Sequence, residues 1–346
     1  MINLSIETRT LHAELMERLG VREAQRSIGS LDGTFITKTI SGREYLYFHH
    51  YTPGGGRRTI CVGLKSPKLD ELVVQHQEGR SEEKVDPIGI RELCAQLKAG
   101  RIAVADLPVA RVIKELAACA VFLVGGVLVG THAFGCLGNL LGVRWDETTL
   151  GTQDIDIAAE RNVSIAVPGL IADIPKTLES LAMGFFPIPQ LNRKHPSTSF
   201  TIRKSPLRVD LLTPGRHEDE PPVYINRLKA AAQPLKYLDY LIQDPIPGAV
   251  INGDAIPVLV PQPLKYGLHK LIVSQVRGPI ASAKAHKDLY QAYQILSFFR
   301  ENYPIAMRDG WQELTGRGRE WQKRAEAGVV VMNRTFGVVD VQATAR

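Results

Sequence analysis

Hydrophobic residues recur at helical spacing near the start of the chain. Leu11, Leu15, Leu19 and Val21 predict a helix over roughly residues 6–27. The pattern then changes to β-forming residues separated by turns rich in glycine, which predicts a small antiparallel meander. The strands predicted for this meander cover residues 34–40, 44–50 and 59–63.

Beyond the meander, residues 68–119 follow a helical pattern with breaks near Pro87 and Pro108. The middle of the chain then alternates short apolar, β-like runs with helices, which predicts an α+β sheet under a helical cover. The predicted strands are residues 127–129, 155–158, 163–166, 200–202 and 207–212, and the predicted helices between them are 131–142 and 175–183.

From Pro261 onward the pattern is helical again, with predicted helices over residues 262–277, 281–301 and 304–325. The tail after Val329 is apolar at first and then polar, and we expect it to be loose at its end. Four units are expected: an N-terminal helix plus meander, a helical connector, a central α+β core and a C-terminal helical domain. Their boundaries are residues 1–66, 67–120, 121–260 and 261–346.

Composition places the chain among ordinary globular proteins, since 44% of its residues are hydrophobic and 23% are charged. It contains no apolar run of about 18 residues, so no membrane span is expected. The N-terminus lacks the pattern of a secretory signal, and the four cysteines lie far apart with no CxxC motif. We therefore expect a cytoplasmic protein without a zinc or disulfide framework. The net charge of +6 is compatible with polyanionic partners.

A strand that ends in a glycine and a small hydroxyl residue is the first candidate for chemistry. Val129-Gly130-Thr131 stands where a predicted strand gives way to a helix. Such a junction presents backbone N–H groups and the positive end of a helix to a phosphate, and glycine allows a close approach. Taken alone, the same residues also fit a plain turn followed by a helix cap.

Acidic residues on two predicted strands are the second candidate. Asp154 and Asp156 are two residues apart, so both carboxylates project from one face of a strand. Asp210 lies on a later strand that could bring it beside the pair. Oxygen-rich groups of this kind suit Mg²⁺. The alternatives are a solvated strand edge for the pair and, for Asp210, an ion pair with Arg203 or Arg208.

In this order, the glycine turn, the acid-x-acid strand and the third acid resemble the nucleotidyltransferase superfamily of the DNA polymerase β type. The amino-acid sequence around these motifs is similar to a bacterial branch of stand-alone nucleotidyltransferase-like proteins. It is distantly similar to the nucleotidyltransferase toxins of abortive-infection systems. The resemblance covers about residues 120–215 directly. The chain departs from the family pattern at Thr131, where glycine or serine is usual, and Gly125-Gly126 is a competing match for the glycine turn.

The resemblance implies a minimal palm-like mixed sheet flanked by helices and a site with two Mg²⁺ ions that binds a nucleoside triphosphate (NTP). Asp154 and Asp156 would contact both ions, and Asp210 chiefly the ion that activates the acceptor hydroxyl. Gly130 and Thr131 would hold phosphate. In the toxin-like relatives a Lys-Asp element on a C-terminal helix helps to hold the triphosphate, and Lys287-Asp288 resembles it.

Further cations lie on the predicted C-terminal helices. Lys270 falls near one face with Lys265 and His269 and is a second candidate for nucleotide binding. The alternative for Lys287-Asp288 is a solvated helix face with a Lys284–Asp288 charge pair. His132 directly follows the glycine turn, where it either points at the nucleotide or caps and packs.

Two segments outside the core combine aromatic and basic residues. The meander carries them over residues 45–51 with Arg57 and Arg58 beyond, and residues 316–324 form a basic patch with one tryptophan. Each is read either as structural or as a nucleic-acid contact.

The sequence therefore predicts a Mg²⁺-dependent nucleotidyltransferase that moves a nucleoside monophosphate (NMP) from an NTP to a hydroxyl of tRNA, another RNA or a protein. The alternative is a nucleic-acid-binding or regulatory protein whose transferase-like fold no longer catalyses. The presence of all three carboxylates favours activity. A biological role as a toxin, with an antitoxin-like or regulatory partner, is a further hypothesis.

Overall fold

The structure is a computed structural model, and it describes residues 1–24, 33–40, 43–51, 57–65, 70, 73–74, 87–146, 152–161, 171–217, 219–276 and 282–342. The strands are β1 (Ile2–Asn3), β2 (Gly33–Ile40), β3 (Arg43–Tyr51), β4 (Arg57–Leu64), β5 (Gly126–Val129), β6 (Val143–Arg144), β7 (Asp154–Ala159), β8 (Phe185–Pro187), β9 (Ser199–Ile202), β10 (Arg208–Pro214), β11 (Val223–Ile225), β12 (Ala230–Leu235), β13 (Ile246–Ile251) and β14 (Ala255–Val260). The helices are α1 (Ile6–Ala24), α2 (Pro87–Ala99), α3 (Leu107–Ala118), α4 (Gly130–Leu141), α5 (Ile174–Ser180), α6 (Leu238–Ile242), α7 (Pro263–Val276), α8 (Ser282–Asn302), α9 (Pro304–Thr315) and α10 (Arg319–Phe336). Within these residues, no helix combines the length and the apolar character that crossing a membrane requires.

A mixed sheet forms the centre of the molecule, in the strand order β5-β7-β10-β12-β11. β7 runs antiparallel to β5 and parallel to β10. The outer edge of β10 is shared, because its first half pairs with β9 and its second half with β12. β8 extends the β9 side. The predicted α+β class, with a mixed sheet, an antiparallel meander and a helical C-terminal part, is confirmed.

Strand alternation gives the sheet one apolar and one polar face. Ile155, Ile157, Val209 and Leu211 are fully buried and belong to the main hydrophobic core, which also includes the inner face of α3. Asp154, Asp156 and Asp210 point the other way, into a cleft that α7 and α8 close from the opposite side. The apolar face therefore anchors the strands that carry the acids.

The C-terminal helices form a second core and correct one prediction. The predicted helix over residues 304–325 is two helices, since the chain breaks at Gly316–Gly318 and Gly318 has φ of +132°. The last helix also extends beyond its predicted end at residue 325, because α10 continues to Phe336. The very end of the tail, residues 343–346, lies outside the described residues. Met332, which is fully buried in this core, explains why the helix extends past Val329.

The basic patch at residues 316–324 packs within this C-terminal unit. Arg317 forms an ion pair with Asp239 and lies 4.7 Å from the ring centre of Trp321. Arg324 pairs with Glu320 at 3.2 Å. Arg317 thus links the start of α10 to α6, and Arg324 also lies 5.8 Å from the ring centre of Tyr237, the residue before α6. These contacts favour the structural interpretation of the patch.

A hairpin that the sequence analysis did not predict supports the N-terminal helix. β13 and β14 pair in full antiparallel register around Asn252 and Gly253, and Gly253 has φ of +64°. Ala249 and Ile251 of this hairpin share a third core with α1 and α2. β8, β11, β12 and α6 were not predicted either.

The meander is confirmed as the three-stranded sheet β2-β3-β4, with antiparallel pairing throughout. The side chains of residues 45–51 and 57–64 lie outside the described part, so a nucleic-acid contact on this sheet stays a prediction. The predicted strand over residues 163–166 and the end of the first helix at residues 25–27 also lie outside the described residues.

Candidate active site

Three carboxylates converge on the polar face of the sheet. Asp154 and Asp156 lie on β7 with the fully buried Ile155 between them pointing into the core. Asp210 stands directly opposite Asp156 in the parallel register of β7 and β10. All three line a cleft of about 500 Å³ between the sheet and the C-terminal helices. The structure therefore brings together the three acids that the sequence singled out.

The acids repel one another, and the effect is concentrated at Asp156. Burial, followed by the charges of Asp210 and Asp154, raises the pKa of Asp156 to about 6, although Lys270 and Lys284 act in the opposite direction. Such a cluster of oxygens binds a divalent cation well, because the cation removes the repulsion.

Asp210 has partners of its own beside β9. The Nε atom of Arg208 donates to Asp210 Oδ1 at 2.7 Å, and the hydroxyl of Ser199 donates to the same oxygen. Arg208 also reaches Ser199 Oγ at 3.0 Å. The ion pair with Arg208, one of the two interpretations left open for Asp210, is therefore present alongside its position in the cluster. Among the described residues, no three histidine, cysteine, aspartate or glutamate side chains are placed so that they could together hold a metal ion.

The glycine turn at the end of β5 lies against the acids. Gly130 has φ of +69°, and a Cβ atom there would collide with the Asp156 carboxylate. Glycine is needed for both reasons. Gly130 and Thr131 line the cleft at the N-terminus of α4. Gly126 pairs with Ala159 at the far end of β5, so the competing Gly125-Gly126 lies away from the carboxylates.

A buried tyrosine ties this turn to the C-terminal helices. The Tyr266 hydroxyl donates to the carbonyl oxygen of Gly130 at 2.9 Å and lies 3.0 Å from the side-chain oxygen of Gln291. Tyr266 is fully buried, and Phe134 of α4 stacks on its ring. The turn and the C-terminal helices thus share one rigid contact.

Three lysines of α7 and α8 face the acids across the cleft: Lys270, Lys284 and Lys287. Lys270 pairs with the buried Asp288 at 2.5 Å. The pKa of Lys287 is lowered by burial first and by Lys270 next, while Asp288, Asp154 and Asp156 act to raise it. An ammonium held close to another ammonium and facing a cleft favours an anionic ligand.

Two neighbouring candidates are positioned for other roles. His132 lines a separate cavity of about 50 Å³ with Cys136 and Asn139. Its Nε2 atom is buried without a hydrogen-bond partner among the described residues, and burial lowers the pKa of His132 to about 4. Lys265 turns away from the cleft and pairs with Glu313 at 3.3 Å. For His132 the structure favours the packing interpretation.

The cleft also continues past Asp210 into a region that the sequence analysis missed. Gln190 and Thr198 reach it from the segment between β8 and β9, and Gln233 and Leu235 reach it from β12. These residues carry no local motif. Only the shared edge of β10, which is a long-range feature of the sheet, brings them to the site.

The comparisons with known proteins identify the class of this protein. Residues 108–316, more than half of the chain, match the model of a family described as "Nucleotidyltransferase". The chain belongs to this nucleotidyltransferase family. No curated protein and no solved structure matches the chain significantly.

Proposed function

We propose that this protein is a Mg²⁺-dependent nucleotidyltransferase that transfers NMP from an NTP to a hydroxyl group of an RNA or a protein by a two-metal mechanism. The observation that carries this proposal is the division of charge in the cleft. Asp154, Asp156 and Asp210 lie on the sheet side, and Lys270 and Lys287 lie on the helical side. The resemblance of the motifs to the polymerase β type, and more distantly to the abortive-infection toxins, supports the same chemistry.

The cation-rich side of the cleft is suited to the triphosphate. The N-terminus of α4 at Gly130 and Thr131 offers backbone N–H groups, and a phosphate approaches closely where no Cβ intervenes. Lys270, Lys284 and Lys287 add positive charge from α7 and α8. Because these elements meet at the β5 edge of the cleft, the β- and γ-phosphates would lie there.

The carboxylates fit magnesium, since they are oxygen ligands in a cleft where burial, followed by the charges of Asp210 and Asp154, raises the pKa of Asp156. Asp154 and Asp156 would hold both ions and Asp210 the ion nearer the acceptor. Protein sites for Mg²⁺ are commonly completed by substrate phosphates, so a closed site is not expected before the NTP binds. Magnesium supplies charge neutralisation and activates the acceptor hydroxyl when it is bound.

The transfer itself makes one bond and breaks one. The acceptor hydroxyl oxygen bonds to the α-phosphorus of the NTP, the bond to the β-phosphate oxygen breaks, and pyrophosphate leaves. The hydroxyl proton passes to solvent. The chain would hold the triphosphate between Lys287 and the glycine turn, and Asp154, Asp156 and Asp210 would hold the Mg²⁺ ions that neutralise the charge of the α-phosphate.

The test is to incubate the protein with Mg²⁺, each α-labelled NTP in turn, and either total RNA or a protein extract. The proposal predicts label on one acceptor class, lost in an Asp154→Ala/Asp156→Ala variant. A Lys98→Ala variant, altered on the exposed face of α2, is the matched control and should label as the unchanged protein does. Absence of both label and metal-dependent NTP binding would overturn the proposal in favour of a non-catalytic binding protein.

A further inference from the structure

We infer that the end of the cleft beyond Asp210 receives the 3′-terminal nucleoside of a single-stranded nucleic acid, whose phosphates bind the basic segment between β8 and β10. This inference rests on the proposed function and names the acceptor class for the same site. It selects nucleic acid over a protein hydroxyl.

The direction of the reaction places the acceptor at this end. In nucleotidyl transfer the attacking and leaving oxygens lie roughly in line on opposite sides of the phosphorus. The glycine turn ends β5, and Tyr266, whose hydroxyl bonds to Gly130, has the ammonium group of Lys270 5.2 Å from its ring centre. Pyrophosphate would therefore leave toward the β5 edge. The nucleophile must therefore enter from the β10 side, where Asp210 stands and where the cleft continues.

The continuing part of the cleft has the character of a nucleobase slot. Leu212 lies two residues beyond Asp210 on the same face of β10, about 6.6 Å along the strand, and Gln233 is opposite Leu212 on β12. Apolar side chains line this end: Ile188, Pro189, Leu212, Leu235, Leu238 and Leu241.

Two side-chain amides lie beside these apolar residues. Gln190 donates to Thr198 Oγ1 at 2.9 Å, and Gln233 donates to the carbonyl oxygen of Glu220 at 3.2 Å. Apolar side chains next to hydrogen-bonded amides suit an unstacked base, which packs by its faces and hydrogen-bonds by its edges.

The segment from β8 to β10, which supplies part of this slot, carries unbalanced positive charge. Between Glu179 and Asp210 the sequence holds five lysines and arginines and no acidic residue. Of these, Arg193, Lys194, Arg203 and Lys204 are exposed and have no ion pair within the described part of the chain. Arg193 and Lys194 belong to the segment that supplies Gln190 and Thr198 to the slot.

At three other basic positions around the core, Arg161, Lys236 and Arg317, the cation pairs with an acid instead. Exposed cations without counter-charges, next to a base-sized slot, match the regular phosphates of a nucleic acid. A protein acceptor would present no comparable row of negative charges.

The first experiment measures binding of a fluorescent 12-nucleotide RNA of mixed sequence, without metal or NTP. Arg193→Gln/Lys194→Gln is expected to weaken binding at least fivefold. It should also reduce the slope of log affinity against log salt by about 1.4, the value for two lost contacts on a single strand. The matched control, Arg91→Gln/Lys98→Gln on the exposed face of α2, should bind as the unchanged protein does. A DNA strand of the same sequence is tested in parallel, because RNA and DNA carry the same backbone charge and only this comparison distinguishes them.

The second experiment tests the slot by steady-state transfer. Leu235 is 40% exposed, so Leu235→Glu is compatible with folding and puts a negative charge into the slot. It should raise KM for the oligonucleotide at least tenfold and change kcat less than threefold. Val330→Glu on α10 (67% exposed) is the control. An oligonucleotide that ends in a 3′-phosphate should accept no label.

The outcomes separate this inference from the proposed function. Equal RNA binding by the Arg193/Lys194 variant and its control would overturn the inference. Label on protein but not on nucleic acid would also overturn it, while nucleotidyl transfer stands. If the variants change oligonucleotide binding as described but no NMP is transferred, the nucleic-acid-binding surface is supported and the proposed function is overturned.

Discussion

The Tyr266 hydroxyl and the carbonyl oxygen of Gly130 are 2.9 Å apart, and this hydrogen bond joins α7 to the turn that begins α4. The turn belongs to the catalytic sheet and the tyrosine to the C-terminal helices. The two halves of the cleft are therefore held in one geometry by a buried contact.

Replacing Tyr266 with phenylalanine tests this contact. We expect the free energy of unfolding to fall by about 1–2 kcal/mol, because the half-buried Gly130 carbonyl loses this hydrogen bond. NTP affinity should fall severalfold as the turn loosens. Urea unfolding and equilibrium NTP binding measure the two effects. Tyr290→Phe, whose hydroxyl bonds to Asp146 near the surface at 3.0 Å, is the matched control. Equal effects in both variants would contradict the coupling.

Substitutions of two lysines in the cleft should affect different properties, the stability of the fold for Lys270 and NTP binding for Lys287. Lys270 forms a buried pair with Asp288, so Lys270→Met should cost about 3 kcal/mol of stability. A Lys270→Met/Asp288→Leu double variant should recover most of it. Lys287→Met should leave stability nearly unchanged and weaken NTP binding at least tenfold. If instead Lys287→Met lowers the free energy of unfolding as much as Lys270→Met does, and the folded variant binds NTP with unchanged affinity, Lys287 is structural.

Arg208 is expected to compete with a cation for Asp210, since its Nε lies 2.7 Å from that carboxylate. In Arg208→Gln, Mn²⁺ should bind about fivefold more tightly in the absence of NTP, an effect on the order of 1 kcal/mol. Electron paramagnetic resonance of free Mn²⁺ gives the affinity. Lys114→Gln, which removes an exposed pair with Asp254, should leave it unchanged. Unaltered or weaker Mn²⁺ binding in Arg208→Gln would show that the ion pair does not oppose the metal.

His12 on α1 should make the fold sensitive to mild acid. Burial lowers the pKa of His12 to about 4 from 6.5, so the folded state binds fewer protons than the unfolded state between these values. Stability from this group is present above pH 6.5 and is lost as the pH falls toward 4. Between pH 7.5 and pH 5 the loss is about 2 kcal/mol. The free energy of unfolding of His12→Gln, measured with urea, should therefore fall by about 2 kcal/mol less than that of the unchanged protein over the same pH interval. Identical losses would mean that His12 does not titrate as described.

The sequence predicted the acids because their spacing is a local property of a strand. Asp154 and Asp156 share a face wherever the strand lies. The glycine before a helix can likewise be predicted from the local sequence. The register that sets Asp210 opposite Asp156 depends on the pairing of β7 with β10, which residue patterns do not contain. Only one of the two partners of Asp210 could be predicted from the sequence. Arg208 is two residues away on the same face, whereas Ser199 comes from another strand.

The missed elements have different causes. Asn252-Gly253 between two apolar runs is a strong hairpin signal, and the β13–β14 hairpin could have been predicted from it. Gly316 and Gly318 likewise marked the break between α9 and α10. The end of the cleft beyond Asp210 could not have been predicted, since it arises where β9 and β12 share the edge of β10.

The most direct test of nucleotidyl transfer uses two labels on one NTP. With Mg²⁺ and an acceptor RNA, the α-phosphate label should appear on the RNA and the γ-phosphate label in pyrophosphate, in equal amounts. Asp210→Asn should lose at least about 100-fold in rate while its NTP affinity stays within threefold, because Asp210 serves the acceptor side. Transfer of the γ-label to the acceptor, or an Asp210→Asn variant as fast as the unchanged protein, would contradict the account.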